Sequence, residues 1–518
     1  MAKLRLSLTI PGAVSPGAYE GGALAALILA AKVLGEDILV IDTIAAASAG
    51  SITGLLTARA LLRDVDPVKL LSEAWVTNVS FQAMKNRTTD SPLSSTALSA
   101  MASAVLGPLG VPDGPEAKWQ VQPIQLSMAL ASLAGFNYVL ADLERDTTVM
   151  ASTFLDTYDV TLDKTADSSS FLVHAEAAIA SGSNAIGFPP KLLDRLADRT
   201  KYDAAGLLGF PADGRFWYTD GGTVDNEPLG RTIDLTPDND GNDGRLFLLI
   251  HPNQGVPGPV VSKVWGGDAP QPPWMHTGSH SIGISRAQSI YDDLERLEKT
   301  NSRLKWVRSI APAIRSGLEA GIQTAGLTAD QADQLRGSVK TAVAQALTAI
   351  QNQESDLEQR TNRELTSRSL PAGNYDILID ALVGEASGLV GKDPIRVEVV
   401  SPSIDPAVEK SPSEQLAGAF FFHFGGFFDE RFRQSDFALG FRNMNYWLTN
   451  YLPAYLEGVD LSAVLAAVDD AYARLGWEQV DFGGVGLKAL SHKEKDELIG
   501  LGWHVAHVVE HDVTHGGV

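Results

Sequence analysis

Six short apolar runs, separated by longer helix-compatible stretches, constrain the fold of this chain most strongly. The first run alternates strictly between apolar and polar residues, which is typical of a β-strand. Strands that alternate with helices predict a mainly parallel sheet covered by helices on both faces. We therefore expect a three-layer α/β sandwich. The predicted strands are Leu4–Ile10, Ile38–Ile44, Thr148–Leu155, Phe216–Thr219, Leu246–Ile250 and Ile395–Val400.

Three regions interrupt this alternation. Residues from about 64 to 143 are rich in Ala, Ser, Pro and Met, and we expect helices and loops there, above the sheet. Residues 252–274 are dense in Pro and Gly, which predicts a loop. A helical insertion is expected from about 281 to 367. We predict one α/β domain over residues 1–450, followed by a helical C-terminal extension over residues 451–518.

Charge and cysteine content limit the partners and the chemistry. The 518 residues carry a formal net charge of -22, which repels phosphate backbones and anionic bilayers, so no nucleic acid is expected as a partner. The absence of cysteine excludes disulfides, thiolate catalysis and cysteine-based zinc sites. The N-terminal run has the pattern of a strand, and no apolar run reaches about 18 residues. We therefore expect a cytoplasmic protein without a signal peptide or membrane span.

A serine between a strand and a helix is the first candidate catalytic residue. The apolar run that ends at Ala46 leads into Ser48, and a helix-compatible run follows Gly50. A sharp turn of this kind strains the backbone and places the hydroxyl at the top of the sheet, where only small neighbours fit. The first N–H groups of the following helix would face a developing oxyanion. Ser48 is therefore a candidate nucleophile, although Ala46 replaces the first glycine of the usual Gly-x-Ser-x-Gly pattern. On its own the segment also suits a structural serine, so the prediction requires a base and an oxyanion hole.

An aspartate at the end of another predicted strand is the candidate base. Asp220 follows the aromatic and β-branched run Phe216–Thr219 and precedes two glycines. A carboxylate there lies at the carboxyl edge of the sheet, where open α/β folds place their sites. A base for Ser48 must come within hydrogen-bond reach of its hydroxyl.

Together these segments resemble the patatin-like phospholipase family. The Ser-Ala-Gly turn of the family is met by residues 48–50, and residues 17–24 and 177–190 are similar to two further family blocks. Residues 399–440 are similar to a bacterial branch with an extended C-terminal part. The Asp-Gly-Gly-x-x-x-Asn-x-Pro pattern of the family is met by Asp220, Gly221, Gly222, Asn226 and Pro228.

The resemblance implies a lipid acyl hydrolase, of the phospholipase A or lysophospholipase type, with a Ser48–Asp220 dyad and no catalytic histidine. Asp220 would take the proton of Ser48 Oγ, and the serine would form an acyl-enzyme. No cofactor and no metal are expected. The expected partner is a lipid or other acyl ester, with peripheral contact to a membrane or micelle. An apolar patch before Leu143, acting as a lid, would supply that contact.

The predicted oxyanion loop departs from the family pattern. Where the family has three glycines and an arginine or lysine, this chain has Ala13 and Val14 in place of two of the glycines and Pro16 in place of the basic residue. Valine is poorly suited to positive φ, and proline has no N–H. We expect the N–H groups of Gly12, Ala13, Val14 and Ala49 to form the hole. A catalytically weak or inactive lipid-binding relative of the family stays open as an alternative.

A histidine offers a second form of the same chemistry. Ser48, Asp220 and His251 occur in the chain order of an α/β-hydrolase triad. Because His251 follows the predicted strand Leu246–Ile250, it is expected near the same edge of the sheet. A Ser–Asp–His triad esterase is therefore a further alternative.

Two segments carry possible metal ligands. His507 and His511 match the His-x-x-Glu-His pattern of inverted zinc peptidases, but no glutamate follows Glu510 to complete the ligand set. An amphipathic tail is the favoured interpretation of that segment. Asp238–Gly244 is rich in Asp and Asn but lacks the spacing of a calcium-binding EF-hand loop, so a turn is predicted there.

Overall fold

A computed structural model of the chain describes residues 3–86, 91–107, 110–142, 147–185, 187–236, 245–253, most of 291–361, 395–421, 423–477 and 486–515. Within these residues, nine strands form one sheet. The strands are β1 (Leu4–Ile10), β2 (Leu39–Ala46), β3 (Ile124–Asp142), β4 (Thr147–Leu162), β5 (Lys191–Asp194), β6 (Leu207–Leu208), β7 (Arg215–Asp220), β8 (Arg245–Ile250) and β9 (Val397–Val400).

The sheet is parallel at its centre and antiparallel at one side. Its main path runs β5-β7-β3-β2-β1-β8-β9, and β4 and β6 pair with β3 off this path. The neighbours along β3-β2-β1-β8-β9 are parallel, whereas β4, β6 and β7 pair antiparallel with β3. The carboxyl ends of β1 and β2 therefore meet at one edge of the sheet, and β7 enters that edge from the opposite direction.

Helices surround this sheet, which gives the expected three-layer α/β sandwich with a helical C-terminal part. Shorter single-turn helical segments are Glu73–Thr77, Leu196–Asp198, Gly221–Thr223, Gly425–Phe427, Leu452–Ala454 and Gly486–Ala489. The α-helices are α1 (Gly17–Leu34), α2 (Ala49–Leu62), α3 (Pro67–Ser72), α4 (Phe81–Met84), α5 (Ser95–Leu106), α6 (Ser168–Ser181), α7 (Arg199–Ala204), α8 (Leu229–Asp234), α9 (Ala329–Thr361), α10 (Pro412–Gln415), α11 (Glu430–Asn450), α12 (Ser462–Leu475) and α13 (His492–His515).

One strand corrects the sequence prediction. Helices α3 to α5 lie in the region expected to hold helices and loops, but Ile124–Asp142 forms β3, so the prediction is wrong for that stretch. The first residues of β3 are buried on both faces of the sheet, including Leu126, Ser127 and Met128. A strand covered on both sides does not alternate between apolar and polar residues, so its pattern is easily taken for that of a buried helix.

The first helix is buried by the C-terminal part of the chain. By length and composition α1 is apolar enough to cross a membrane, yet most of its residues are buried in the protein. A Cβ atom on Gly22 would lie 1.9 Å from the carbonyl oxygen of Phe437, and one on Gly440 would lie 1.9 Å from that of Tyr19. The backbones of α1 and α11 are thus in contact, and α1 is a core helix of the sandwich.

The remaining expectations on organisation concern helical regions outside the sheet. Helix α9 lies within the helical insertion expected at 281–367, and helices α12 and α13 lie within the expected C-terminal extension. Helix α12 packs against α1, and the division of the chain at residue 450 stays a prediction. All but the first two residues of the predicted loop 252–274, and all of Asp238–Gly244, lie outside the described residues.

Candidate active site

Ser48 occupies a strained turn between β2 and α2. Its backbone has φ 52° and ψ -128°, a region that residues with a side chain rarely adopt. The turn is held because the N–H of Ala47 donates to the carbonyl of Ile10, at 3.1 Å, and the N–H of Ser48 donates to Ser181 Oγ, at 2.9 Å. Helix α2 begins at the next residue, so its N-terminal N–H groups lie beside Ser48.

Two glycines make room for this turn. A Cβ atom on Gly50 would lie 2.3 Å from the carbonyl oxygen of Ile10, so α2 could not start so close to the end of β1 with any other residue. A Cβ atom on Gly12 would lie 2.7 Å from Ser48 Cβ and 2.4 Å from Asn226 Oδ1. Glycine is thus required at these two positions because neighbouring atoms approach the backbone closely, and not because the backbone needs extra conformational freedom.

Asp220 ends β7 and is fully buried. Its Oδ1 accepts from the N–H of Gly222 at 3.0 Å, and its Oδ2 accepts from Asn184 Nδ2 at 3.1 Å. A Cβ atom on Gly221 would lie 1.9 Å from the carbonyl oxygen of Ala129, so the chain can turn there only with glycine. The carboxylate is therefore held in one orientation by its own turn and by Asn184.

A single tetrapeptide, residues 181–184, contacts both candidates. Ser181 Oγ accepts from the N–H of Ser48 and donates to the carbonyl of Ala129, at 2.6 Å. The carbonyl of Ser183 accepts from the N–H of Asp220, at 3.1 Å, and Asn184 donates to the Asp220 carboxylate. Ser48 and Asp220, which are distant in sequence, are thus brought to one edge of the sheet.

Asn226 fills the space between the two candidate residues and the loop after β1. Its Nδ2 donates to Glu227 Oε1 at 2.6 Å and to the carbonyl of Gly12 at 3.4 Å. Its buried Oδ1 has no hydrogen-bond partner within the described part of the chain. A Cβ atom on Gly222 would come within 2.5 Å of this Oδ1 and within 3.2 Å of Asp220 Oδ1. Asn226 therefore touches the turn that follows Asp220 and the loop that carries Gly12, which in turn lies against Ser48.

The loop after β1 offers fewer oxyanion donors than expected. The N–H of Gly12 donates to the carbonyl of Asn226, at 3.1 Å. It is therefore not available to an oxyanion, and the prediction that Gly12 contributes to the oxyanion hole is corrected. Val14 has φ 58°, the positive value to which a valine is poorly suited. Among the described residues, the N–H groups of Ala13, Val14 and Ala49 have no hydrogen-bond partner. These three are the groups available to a developing negative charge.

A cavity of about 100 Å³ extends from Ser48 between the helices. Its walls are almost entirely apolar and come mainly from α2, α5, α6 and the aromatic residues of three other segments. Trp75 is one of these, and its indole N–H donates to Thr53 Oγ1 at 3.1 Å, which fixes the ring. The wall residues include Val14, Ile52, Leu55, Leu56, Trp75, Leu98, Met101, Val105, Ala178, Ile179, Phe188, Phe424 and Phe427.

A family comparison agrees with this geometry. Residues 8–233 match the model of the patatin-like phospholipases. This stretch belongs to the patatin-like phospholipase family. No curated protein matches the chain. The family assignment supports an enzyme of the hydrolase class that acts on lipid esters. The patatin-like domain spans the elements from β1 to α8, and therefore both Ser48 and Asp220.

Tyr218 anchors the strand that carries Asp220 in the patatin-like domain. Its hydroxyl and that of Tyr202 donate to Asp156 Oδ2, at 2.6 and 2.7 Å, and Arg195 Nη1 lies 3.2 Å from the same oxygen. Burial and the Asp156 carboxylate raise the pKa of Tyr218, so the phenol stays a donor. This buried network fixes β7 two residues before the candidate base.

His251 does not join Ser48 and Asp220 in this patatin-like site. Its Nδ1 accepts from the N–H of Asn253 at 3.1 Å, and its Nε2 lies 3.4 Å from Glu227 Oε1. Both ring nitrogens are thus used away from the two candidate residues. The arrangement does not support the Ser–Asp–His triad that the chain order allowed.

Sequence patterns also pointed to metal ligands near the C-terminus. Among the described residues, no three potential metal ligands lie together. The stretch with His507 is helical, as part of α13, while the side chains of Glu510 and His511 lie outside the described set.

Several residues of the site had no role assigned from sequence. Ser181, Asn184 and Asn226 belong to family-like blocks, so their place in a motif was visible, but their contacts were not. Phe424 and Phe427 come from a C-terminal aromatic run that lies beyond the patatin-like match. No local pattern connects that run to Ser48.

Proposed function

We propose that this protein hydrolyses carboxylic esters of lipids through a Ser48–Asp220 dyad and an acyl-enzyme. The observation that carries the proposal is one residue, Asn184, which lines the apolar cavity beside Ser48 and also donates to the Asp220 carboxylate. A strained serine, a buried carboxylate and an apolar cavity meet at the carboxyl edge of the sheet, which is the arrangement that acyl transfer from a lipid requires.

The reaction proceeds in two balanced steps. In the first, Asp220 accepts the proton of Ser48 Oγ while the oxygen attacks the ester carbonyl, and the proton then passes to the departing alcohol. The N–H groups of Ala13, Val14 and Ala49 stabilise the oxyanion. In the second, water attacks the acyl-serine, Asp220 takes its proton, and the fatty acid leaves as Ser48 regains a proton.

The cavity favours an acyl chain over a headgroup as the part of the substrate that is recognised. Its walls offer aliphatic and aromatic surface with few polar groups. Each methylene that leaves water contributes about 0.8 kcal/mol, so a chain of even a few carbons would dominate binding. Glycerophospholipids and lysophospholipids are therefore the proposed substrate class.

Contact with a lipid surface is part of the proposal. Leu133, Leu192 and Trp217 are each at least 40 % exposed, and they lie on strands beyond the edge of the sheet that carries Ser48. A net charge of -22 disfavours anionic bilayers, so the proposed partner is a zwitterionic membrane or micelle. Binding to phosphatidylcholine vesicles that is lost in Trp217→Ser would support this contact, and unchanged binding would oppose it. Cytoplasmic residence stays a prediction.

Ester hydrolysis by matched variants tests the dyad. Ser48→Ala and Asp220→Asn should each lower kcat by at least about 1000-fold on p-nitrophenyl esters and on phosphatidylcholine. Ser132→Ala is the control, because this buried hydroxyl has no partner within the described residues. It should keep near-normal turnover. A Ser48→Ala enzyme that keeps its activity would exclude the dyad.

A non-catalytic lipid-binding protein is the second candidate function. The observation that favours it is the altered loop, where the N–H of Gly12 is already bonded to Asn226. Loss of one oxyanion donor costs about 3–4 kcal/mol, or about 100–1000-fold in rate. A fluorophosphonate adduct on Ser48 that is absent from Ser48→Ala supports the enzyme. Fatty-acid binding without an adduct or turnover supports the lipid-binding alternative.

A further inference from the structure

A segment outside the patatin-like match, Leu416–Phe428, reaches the candidate active site. It lies between α10 and α11 and is described except for residue 422. Two of its residues, Phe421 and His423, have φ of 53° and 66°. Side-chain-bearing residues adopt such values only where the surroundings hold them, so the path of this segment is tightly fixed.

The segment is hydrogen-bonded to the oxyanion loop at Ser15, the residue after Val14. The N–H of Ser15 donates to the carbonyl of His423, at 3.0 Å. The Oγ of Ser15 accepts from the N–H of Gly426, at 3.0 Å, and donates to the carbonyl of Gly418, at 3.4 Å. Ser15 is fully buried, so water does not compete for these bonds. Three contacts on one residue thus hold the positive φ of the valine that precedes it.

Helix α11 in turn holds the segment. Asp436 accepts from the N–H groups of Ala417 and Gly418, at 2.6 and 2.9 Å. Arg433 donates from Nη1 to the carbonyl of Gly426, at 2.8 Å, and from Nε to the carbonyl of Val76, at 2.9 Å. A buried carboxylate and a buried guanidinium therefore fix both ends of the contact with the oxyanion loop.

The same segment closes the apolar cavity. Phe424 and Phe427 line the cavity together with Val14 and Ser48, and both rings are buried. Phe81 packs on each of them, with ring centroids 6.1 and 5.9 Å away. The two rings therefore have little freedom to move aside for a longer ligand.

We propose that Leu416–Phe428 positions the oxyanion loop through Ser15 and sets the accepted acyl-chain length through Phe424 and Phe427. This inference rests on the proposed ester hydrolysis. In this role Ser15 is a positioning residue, since it acts through the N–H groups of Ala13 and Val14. The two phenylalanines are specificity-determining residues that touch the acyl chain.

Kinetics of Ser15→Ala test the positioning role. The variant keeps the backbone bond to His423 but loses both bonds of the hydroxyl, so kcat per fluorophosphonate-titrated site should fall about tenfold while KM changes less than twofold. Ser7→Ala is the control, because it removes another buried hydroxyl, which accepts from Arg245 at 2.6 Å, without touching the loop. An unchanged kcat per titrated site in Ser15→Ala overturns this half of the inference.

Chain-length profiles of Phe424→Ala test the specificity role. On p-nitrophenyl esters from butyrate to palmitate, the ratio of kcat/KM for palmitate to that for butyrate should rise at least fivefold. Phe420→Ala is the matched control, since this ring packs on Phe428 in the same segment but does not line the cavity. Equal ratios in the two variants overturn the specificity role, even where Ser15→Ala fails to fold. A wild-type protein with no turnover and no adduct on Ser48 refutes the proposed hydrolysis instead.

Discussion

Replacing Gly12 by alanine is the sharpest test of the site, because the added methyl group would overlap with the side chains of Ser48 and Asn226. An ideal Cβ at this position would lie 2.7 Å from Ser48 Cβ and 2.4 Å from Asn226 Oδ1. Carbon atoms pack best at about 3.5–4.0 Å, so Ser48 or the loop must retreat by about 1 Å. Asn226 cannot easily give way, since its Nδ2 is bonded to the buried Glu227.

The expected effect is much larger on catalysis than on stability. A misplacement of about 1 Å in a reacting group costs about 100-fold in rate, so kcat of Gly12→Ala should fall by about that factor with little change in KM. An extra methyl in a tightly packed site destabilises by about 1–3 kcal/mol. A protein of this size should therefore lose only a few degrees in Tm.

The assay is steady-state hydrolysis of p-nitrophenyl butyrate, normalised to folded protein by circular dichroism and Tm. Gly337→Ala is the control, because a Cβ atom at that position in α9 meets nothing within 4 Å. It should keep kcat and gain up to about 1 kcal/mol in stability. A folded Gly12→Ala enzyme with wild-type kcat would refute the claim that Ser48 is placed by this contact.

Three further predictions follow from described contacts. His251→Gln should keep kcat within about threefold of wild type, because both ring nitrogens are bonded away from the dyad. A loss in kcat above about 100-fold would instead support the Ser–Asp–His triad. Ser181→Ala should lower kcat about tenfold, because the N–H of Ser48 loses its acceptor, and unchanged kinetics would contradict this. Burial raises the pKa of Asp436 from 3.8 to about 7, so its stabilising contribution is present below about pH 4 and is lost as pH rises towards 7. Urea unfolding at about pH 4.5 and 7.5 should show a loss in the free energy of unfolding that is about 3 kcal/mol greater for wild type than for Asp436→Asn. Equal losses in the two proteins would contradict the assignment of this pH dependence to Asp436.

The strand-to-helix turn at Ser48 and the glycine turn after Asp220 could be predicted because both are dictated by short-range sterics. Small residues must flank a serine in a strained turn, and glycine must follow a carboxylate where the chain meets another backbone. Such requirements leave a local pattern of residue types. β3 left no such pattern, because a strand buried on both faces needs only apolar or small residues, which also suit a helix.

The conformation of the oxyanion loop could not be predicted, because the residues that hold it are far away in the sequence. The residue type alone makes positive φ at Val14 unfavourable, yet the structure has φ 58° there. The contact that holds it joins Ser15 to Gly426, 411 positions away. Similarly, the bond from Gly12 N–H to the Asn226 carbonyl depends on how two loops meet, which neither loop encodes separately.

Backbone contact between α1 and α11 has a consequence for biosynthesis. Helix α1 leaves the ribosome about 400 residues before Glu430–Asn450 does. At roughly 5–20 residues per second, translation takes roughly 20–80 s to cover that interval. Throughout it, an 18-residue apolar helix lacks the partner that covers it in the native state. A fragment that ends with the patatin-like match should therefore aggregate.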